Sequence, residues 1–313
     1  MTIRDLRAGD APQLYEFLRR DFPEEKRLLG MRPEGFDRVV HRIFRWDARL
    51  ALGLLRLVGR PVFRFFVLES DGRLVATTLL TFGTRAGYLS LVAVDPGYRR
   101  RGYAQLLAER SRRATVARHR PYLALDVLAT NAPARALYAK LGFRPLRSAS
   151  FMVLEDPQPR AAGAPPVRGL RPFRPTDAEP LAAIVRAEKP PEVESVLPTS
   201  PADIAGSEWV GRVLASESAA WVLDDGRGPV AWVAATASPA TEAAQLSAPI
   251  VGWSADPAAA AGLVVTAGAW CAARRAPRLA AVIPEENRRG RAALETAGFH
   301  DAIATWTLYR SAA

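Results

Sequence analysis

The chain has 313 residues, 49% of them apolar, with 43 Lys+Arg against 32 Asp+Glu and a single cysteine. That length admits two ordinary domains with buried cores, and the lone Cys271 excludes an intramolecular disulfide. No stretch reaches the roughly 20 strongly apolar residues of a bilayer span, and the start, MTIRDLRAGD, lacks the apolar region of a secretion signal, so a cytoplasmic location is expected.

In chain order, residues 2–7 predict a short strand, and Asp10 stands at an N-cap position before a helix over 11–20. From 36 to 58 the apolar residues Phe36, Val39, Val40, Ile43 and Phe44 begin a helical stripe with Arg38, Arg42, Arg45, Arg49 and Arg56 opposite. Such a face packs on its own domain or lies on an anionic membrane surface. Phe63–Glu69 and Leu74–Phe82 are β-prone runs joined by Ser70-Asp71-Gly72-Arg73, a hairpin signal. Leu89–Val94 predicts a strand, Gly102–His119 a helix, Tyr122–Leu128 a strand, Pro133–Leu141 a helix stopped by Gly142, and Arg147–Leu154 a last strand.

Residues 155–167, EDPQPRAAGAPPV, have linker composition, and the sequence then restarts. IRDLRAGDAPQL (3–14) corresponds to LRPFRPTDAEPL (170–181), with Arg4, Arg7 and Asp10 matching Arg171, Arg174 and Asp177. NAPARALYAKLGF (131–143) corresponds to NRRGRAALETAGF (287–299). A tandem repeat follows: a domain over 1–156, a linker over 157–167 and a second domain over 168–313. The charge divides unequally: residues 1–156 carry 28 Lys+Arg against 16 Asp+Glu, residues 157–313 carry 15 against 16. An anionic ligand or surface is therefore expected at the first half, whether nucleic acid, polyphosphate or lipid.

The chemistry concentrates in LVAVDPGYRRRGYAQLL (91–107). A strand ends at Val94, and a helix opens near Gly102 after a basic turn. Unpaired backbone N–H groups at a helix start cradle anions, while Gly102 and the small Ala104 permit close approach. There is no GxxxxGK[ST] and no GxGxxG, which excludes the P-loop and the dinucleotide fingerprint. Nucleic-acid binding is disfavoured because no aromatics interleave the arginines.

Arg99-x-x-Gly102-x-Ala104, followed by LALDVLATNAPARALYAKLGF (123–143), resembles the two motifs of the GNAT (Gcn5-related N-acetyltransferase) superfamily over about the first 156 residues. The resemblance implies a mixed α/β fold, with two tandem GNAT-like domains, each a twisted and mostly antiparallel sheet flanked by helices. It also implies acetyl-CoA as co-substrate, an amine acceptor and no metal. The backbone of Val92, Ala93 and Val94 would hold the thioester and pantetheine arm; Arg99, Arg100, Arg101, Gly102, Tyr103 and Ala104 would hold the pyrophosphate; Asn131 would contact the arm.

Acetyl transfer needs a neutral amine, whereas an alkylammonium has a pKa of about 10. A base must take its proton, and the departing thiolate must gain one. The motif match gives the acid role to Tyr138. Asp126 is the candidate base, acting through water, or else a structural carboxylate; Ser90 stands where other members carry a glutamate. Asp21, Glu24 and Glu25 sit where the family lines its acceptor pocket. In the second half Val282 replaces Asp126, Leu294 replaces Tyr138, and Ala258–Ala261 replace the basic turn, so that half is expected to be degenerate, with a structural or substrate-shaping role. The alternative to an enzyme is an acyl-CoA-binding regulatory or membrane-surface module that uses 36–58.

Overall fold

The computed structural model describes residues 1–21, 30, 63–159, 167–205, 216–238 and 241–313. Four antiparallel strands open the first half: β1 (Thr2–Asp5), β2 (Phe63–Ser70), β3 (Arg73–Phe82) and β4 (Ala86–Val94). The β2–β3 turn is tight because Asp71 and Gly72 both take left-handed backbone, φ 53° and 73°, the geometry that matches strand twist in a two-residue hairpin. Helix α1 (Ala11–Asp21) precedes β2; α2 (Tyr103–Val116), β5 (Tyr122–Leu128), α3 (Ala132–Lys140) and β6 (Arg144–Glu155) follow β4. Phe66, Leu68, Leu80, Leu89, Leu123 and Leu125 are buried against Leu107 of α2 and Tyr138 of α3 in one core.

The second half repeats the plan with β7 (Leu170–Pro172), α4 (Ala178–Glu188), α5 (Pro191–Val196), α6 (Pro201–Ala205), β8 (Glu217–Asp224), β9 (Pro229–Ala237), β10 (Ala244–Leu246), β11 (Ile250–Val251), α7 (Pro257–Ala272), β12 (Arg278–Pro284), α8 (Arg288–Thr296) and β13 (His300–Ser311). The repeat holds at the level of single hydrogen bonds. Arg4 donates to both oxygens of Asp10, which also accepts the Arg7 N–H; Arg171 donates to both oxygens of Asp177, which also accepts the Arg174 N–H. Each arginine then reaches an acid on a neighbouring strand, Glu69 or Asp224. Asp10 therefore ends a short 3₁₀ turn and clamps Arg4, rather than serving as the simple helix cap expected of it.

The mixed α/β class, with a mostly antiparallel sheet flanked by helices, is the observed one. The sheets of the two halves are not separate, however. The strands form one sheet in the order β1-β2-β3-β4-β5-β13-β6-β12-β10-β9-β8-β7, with β11 on β9. The final strand of the second half, β13, lies between β5 and β6 of the first, with Thr305↔Leu128 through Ser311↔Tyr122 in register. In return, β6 pairs with β12 from Arg278↔Glu155 to Pro284↔Ala149. Because the halves are copies, each presents a β5-type edge that the other's last strand fits, and the exchange covers both edges. Arg112 of α2 donates to the Ala312 carbonyl at 2.6 Å, and Arg310 donates to the Leu141 carbonyl at 2.5 Å, tying the exchanged strand down. Among the described residues no helix is long and apolar enough to cross a membrane.

Candidate active site

Strands β4 and β5 run parallel from Ala86↔Tyr122 to Leu89↔Leu125, and their pairing then stops while both continue. The cause lies in β4. Its register with β3 jumps between Thr77↔Ala93 and Leu79↔Ser90, and Leu91 adopts left-handed backbone at φ 51°. This bulge bends the strand and increases its twist. It leaves a wedge-shaped gap between residues 90–94 and 126–128, bordered by the backbone of Val92, Ala93 and Val94.

Beyond the wedge, Asp95 caps a short 3₁₀ turn by accepting the Gly97 N–H at 2.9 Å. Arg99 Nε donates to the Val94 carbonyl at 3.1 Å, and Arg101 donates to the Gly97 carbonyl at 3.2 Å with its guanidinium over the Tyr98 ring. Arg99, Arg100, Arg101 and Gly102 are exposed, and Gly102 is the N-cap of α2 at φ 81°, without a side chain to occupy the first-turn amides. A Cβ at Gly102 would meet nothing within 4 Å, so the cap position itself is uncrowded. Ala104 lies in the same first turn. An open helix start, two left-handed residues (Arg100 at φ 62° and Gly102) and three arginines fit a diphosphate. The Tyr103 ring stacks on Tyr98 at 6.3 Å and packs on the core, so its side chain supports the turn while its amide stays at the helix start.

Asn131 is the N-cap of α3 and accepts the Ala134 N–H at 3.1 Å. That cap sets the orientation of α3 and hence of Tyr138, which is 6% exposed with its ring edge-on to Phe143 at 5.6 Å. Burial pushes the Tyr138 phenol up to about 12, so it is protonated at neutral pH. Asp126, by contrast, projects from the opposite face of β5. Tyr138 packs with Leu123, Leu125 and Val127; Asp126 shares its face with Ala124, beside Tyr88 and Tyr309. Thr307 of β13 donates to Asp126 at 2.7 Å. The Tyr88 hydroxyl is driven well above its ordinary range by burial first, then by the charge of Asp126 and a hydrogen bond with it. The two expected catalytic groups thus flank the wedge from opposite sides of the sheet.

Residues 11–143 match the Acetyltransferase (GNAT) family. This part of the chain is a GNAT acetyltransferase domain. The family's co-substrate is acetyl-CoA. The whole chain is similar in fold to a tandem GNAT protein from the clavulanic acid biosynthesis pathway, at 18% identity and TM-score 0.67, covering 100% of this chain and 98% of that one. It is likewise similar to a GCN5-related N-acetyltransferase from Sphaerobacter thermophilus, at 16% identity and TM-score 0.63, covering 99% and 95%. No curated protein matches the sequence at a significant level.

The second half carries the same wedge position in altered form. By strand register, Ser247-Ala248-Pro249 stand where Ser90-Leu91-Val92 stand in the GNAT domain. Pro249 has no N–H to offer, and its carbonyl accepts the Asn287 amide at 2.8 Å. The Val251 carbonyl accepts Arg289 Nε at 2.8 Å. Helix α8 lies so close that a Cβ at Gly290 would stand 2.3 Å from the Pro249 carbonyl oxygen. Helix α7 begins directly at Asp256-Pro257, and Asp256 accepts the Ala259 N–H at 2.8 Å, so no basic turn intervenes.

A cavity of about 650 Å³ lies between the halves. Tyr88 and Arg147 line it from the GNAT domain, Ile184, Lys189, Trp232 and Glu286 from the second half. Arg147 donates to Glu286 at 3.1 Å across it. Tyr88, Arg147 and Thr307 are not among the site residues expected from the sequence. Tyr88 had a local signal, being two residues before Ser90 and therefore on the same strand face. Thr307 had none, because only the strand exchange brings it to Asp126. Glu24, Glu25 and the 36–58 segment lie outside the described residues, and Asp21 ends α1.

Proposed function

We propose that the protein is an acetyl-CoA-dependent N-acetyltransferase that acetylates a primary amine by direct attack. The observation that carries this reading is the β4–β5 wedge, with a protonated phenol on one side of the sheet and a carboxylate on the other. The backbone of Val92, Ala93 and Val94 borders the wedge and is suited to bind the thioester arm, with Asn131 at the head of α3 beside it. The amides from Tyr103 onward, with Arg99, Arg100 and Arg101, suit the pyrophosphate.

The amine approaches from the Asp126 face. Its ammonium proton passes to Asp126, directly or through water, and the nitrogen lone pair forms the N–C bond to the acetyl carbon. The C–S bond breaks as the nitrogen gives its second proton to water, and the thiolate takes the Tyr138 proton, which solvent later restores. Separate faces keep the proton acceptor and the proton donor from neutralising each other. Strand N–H groups are suited to stabilise the intervening oxyanion.

A small-molecule acceptor fits the interdomain cavity, which Tyr88 joins to Asp126 while Ser247, Ile250 and Asn287 line it from the second half's own wedge position. The cavity's volume falls in the range of small-ligand sites, about 300–1,000 Å³. The second half then acts as a wall of the acceptor site and a structural copy, since Pro249, Val282 and Leu294 stand where the first half has Val92, Asp126 and Tyr138.

The test is release of free CoA from acetyl-CoA with a panel comprising spermidine, tyramine, kanamycin and a peptide with a free N-terminus. Turnover with one of the small amines supports the reading. Acetyl-CoA binding without turnover across the panel contradicts it and favours an acyl-CoA-responsive binding module.

A further inference from the structure

The exchange of final strands places a residue of the second half inside the site of the first. Thr307 lies on β13 directly across from Asp126 on β5, and on its other side across from Arg147 on β6. It is 2% exposed, and its Oγ1 donates to Asp126 Oδ1 at 2.7 Å. Asp126 is itself exposed on the strand, and its carboxylate is held by hydrogen bonds with Tyr88 of β4 and Thr307 of β13, so losing the Thr307 contact removes its tie to β13.

The repeat supplies an internal comparison. Strand β6 stands to β12 as β13 stands to β5. At the matching place Phe151 lies opposite Val282. Where the chain has a carboxylate at the wedge, the exchanged strand brings a hydroxyl; where it has an aliphatic side chain, the exchanged strand brings an aromatic one. Both members of the pair differ together, which ties the Thr307 hydroxyl to the carboxylate and not to the strand architecture common to both places.

We propose that Thr307 is a positioning residue that fixes the Asp126 carboxylate in one orientation beside the β4–β5 wedge, so that the second half completes the acetyl-transfer site of the first. This rests on the acetyltransferase reading above, with Asp126 as proton acceptor. It gives the second half a role that loss of its own wedge chemistry does not abolish. A threonine is suited to this because its β-branch restricts χ1 and its hydroxyl has one proton to donate.

The test uses the full chain with Thr307→Val, Thr307→Ala and Thr307→Ser, assayed with acetyl-CoA and the panel amine of highest turnover. Loss of a hydrogen bond to a charged group should lower kcat about tenfold in Thr307→Val and Thr307→Ala. The KM for acetyl-CoA should stay unchanged, and Thr307→Ser should restore most of the rate. A general loss of packing would instead lower rate and thermal stability together in all three variants. Crystal structures of wild type and Thr307→Val give a readout independent of turnover: the Asp126 carboxylate should bond Thr307 in the first and take a different rotamer in the second. Wild-type kcat in Thr307→Val, or an Asp126 side chain unmoved by the substitution, overturns the proposal. If no amine turns over in the wild type, the acetyltransferase reading fails, while the crystal structures still decide whether Thr307 positions the carboxylate.

Discussion

At the scale of single residues the account turns on Tyr138. A phenol held near 12 by burial stays protonated throughout neutral and mildly alkaline conditions, as the proposed acid role requires. Tyr138→Phe keeps the ring packed on Phe143 and removes only the hydroxyl. It should reduce kcat about 10²-fold, the lower range for a general acid, with little change in acetyl-CoA affinity measured by calorimetry. The Arg171–Asp177 pair makes a separate prediction about stability. The hydrogen bond from Arg171 holds the Asp177 carboxyl below its ordinary value. Stabilisation from this group is therefore full above the unfolded carboxylate range, near about 4, and fades as pH falls through the lower folded value. Asp177→Asn should cost about 2 kcal/mol at neutral pH by urea unfolding and should flatten the acid side of the Tm–pH curve. The matching positions Arg4, Asp10, Arg171 and Asp177 were legible as a repeat from spacing alone. Their partners Glu69 and Asp224 were not, because strand register decides them.

At the scale of elements, the strand–turn–helix from Val92 to Ala104 was legible because glycine, small residues and arginine have strong local meaning there. The bulge that opens the wedge was not. Leu91 carries no marker for left-handed backbone, a conformation that ordinarily selects Gly, Asn or Asp, and the register jump against β3 alone reveals it. Tyr103 was legible as part of the turn but not in its role, since its stacking on Tyr98 depends on where the 3₁₀ turn places that ring. Gly102 gives the sharpest test of the turn. Its φ of 81° penalises any β-carbon by about 1–2 kcal/mol, and a side chain there would stand directly before the first-turn amides of α2. Gly102→Val should lower the melting temperature by a few degrees and weaken CoA binding by at least about tenfold, as read by thermal melts and calorimetry; an unchanged affinity would move the diphosphate elsewhere.

At the scale of the molecule, the duplication was legible and the way its halves join was not. Periodicity and motif order say that β6 and β13 are strands, but two equivalent edges leave open which strand pairs with which. The exchange makes the halves interdependent. Removing residues 300–313 would strip β5 of the ladder from Thr305 to Ser311 and unpair β6 on one side. The shortened chain should therefore aggregate or melt without a cooperative transition by circular dichroism; a stable fold would contradict the interdependence. The positive charge of the first half also finds its place, with Arg99, Arg100 and Arg101 gathered at the mouth of the wedge. The most direct test of the account is calorimetric titration of CoA into the full chain and into an Arg99→Glu/Arg101→Glu variant that melts like the wild type. One binding site in the wild type, with affinity reduced at least about tenfold in the variant, is the predicted result. No heat in the wild type, or equal affinity in both, would contradict a diphosphate held between Arg99 and Ala104.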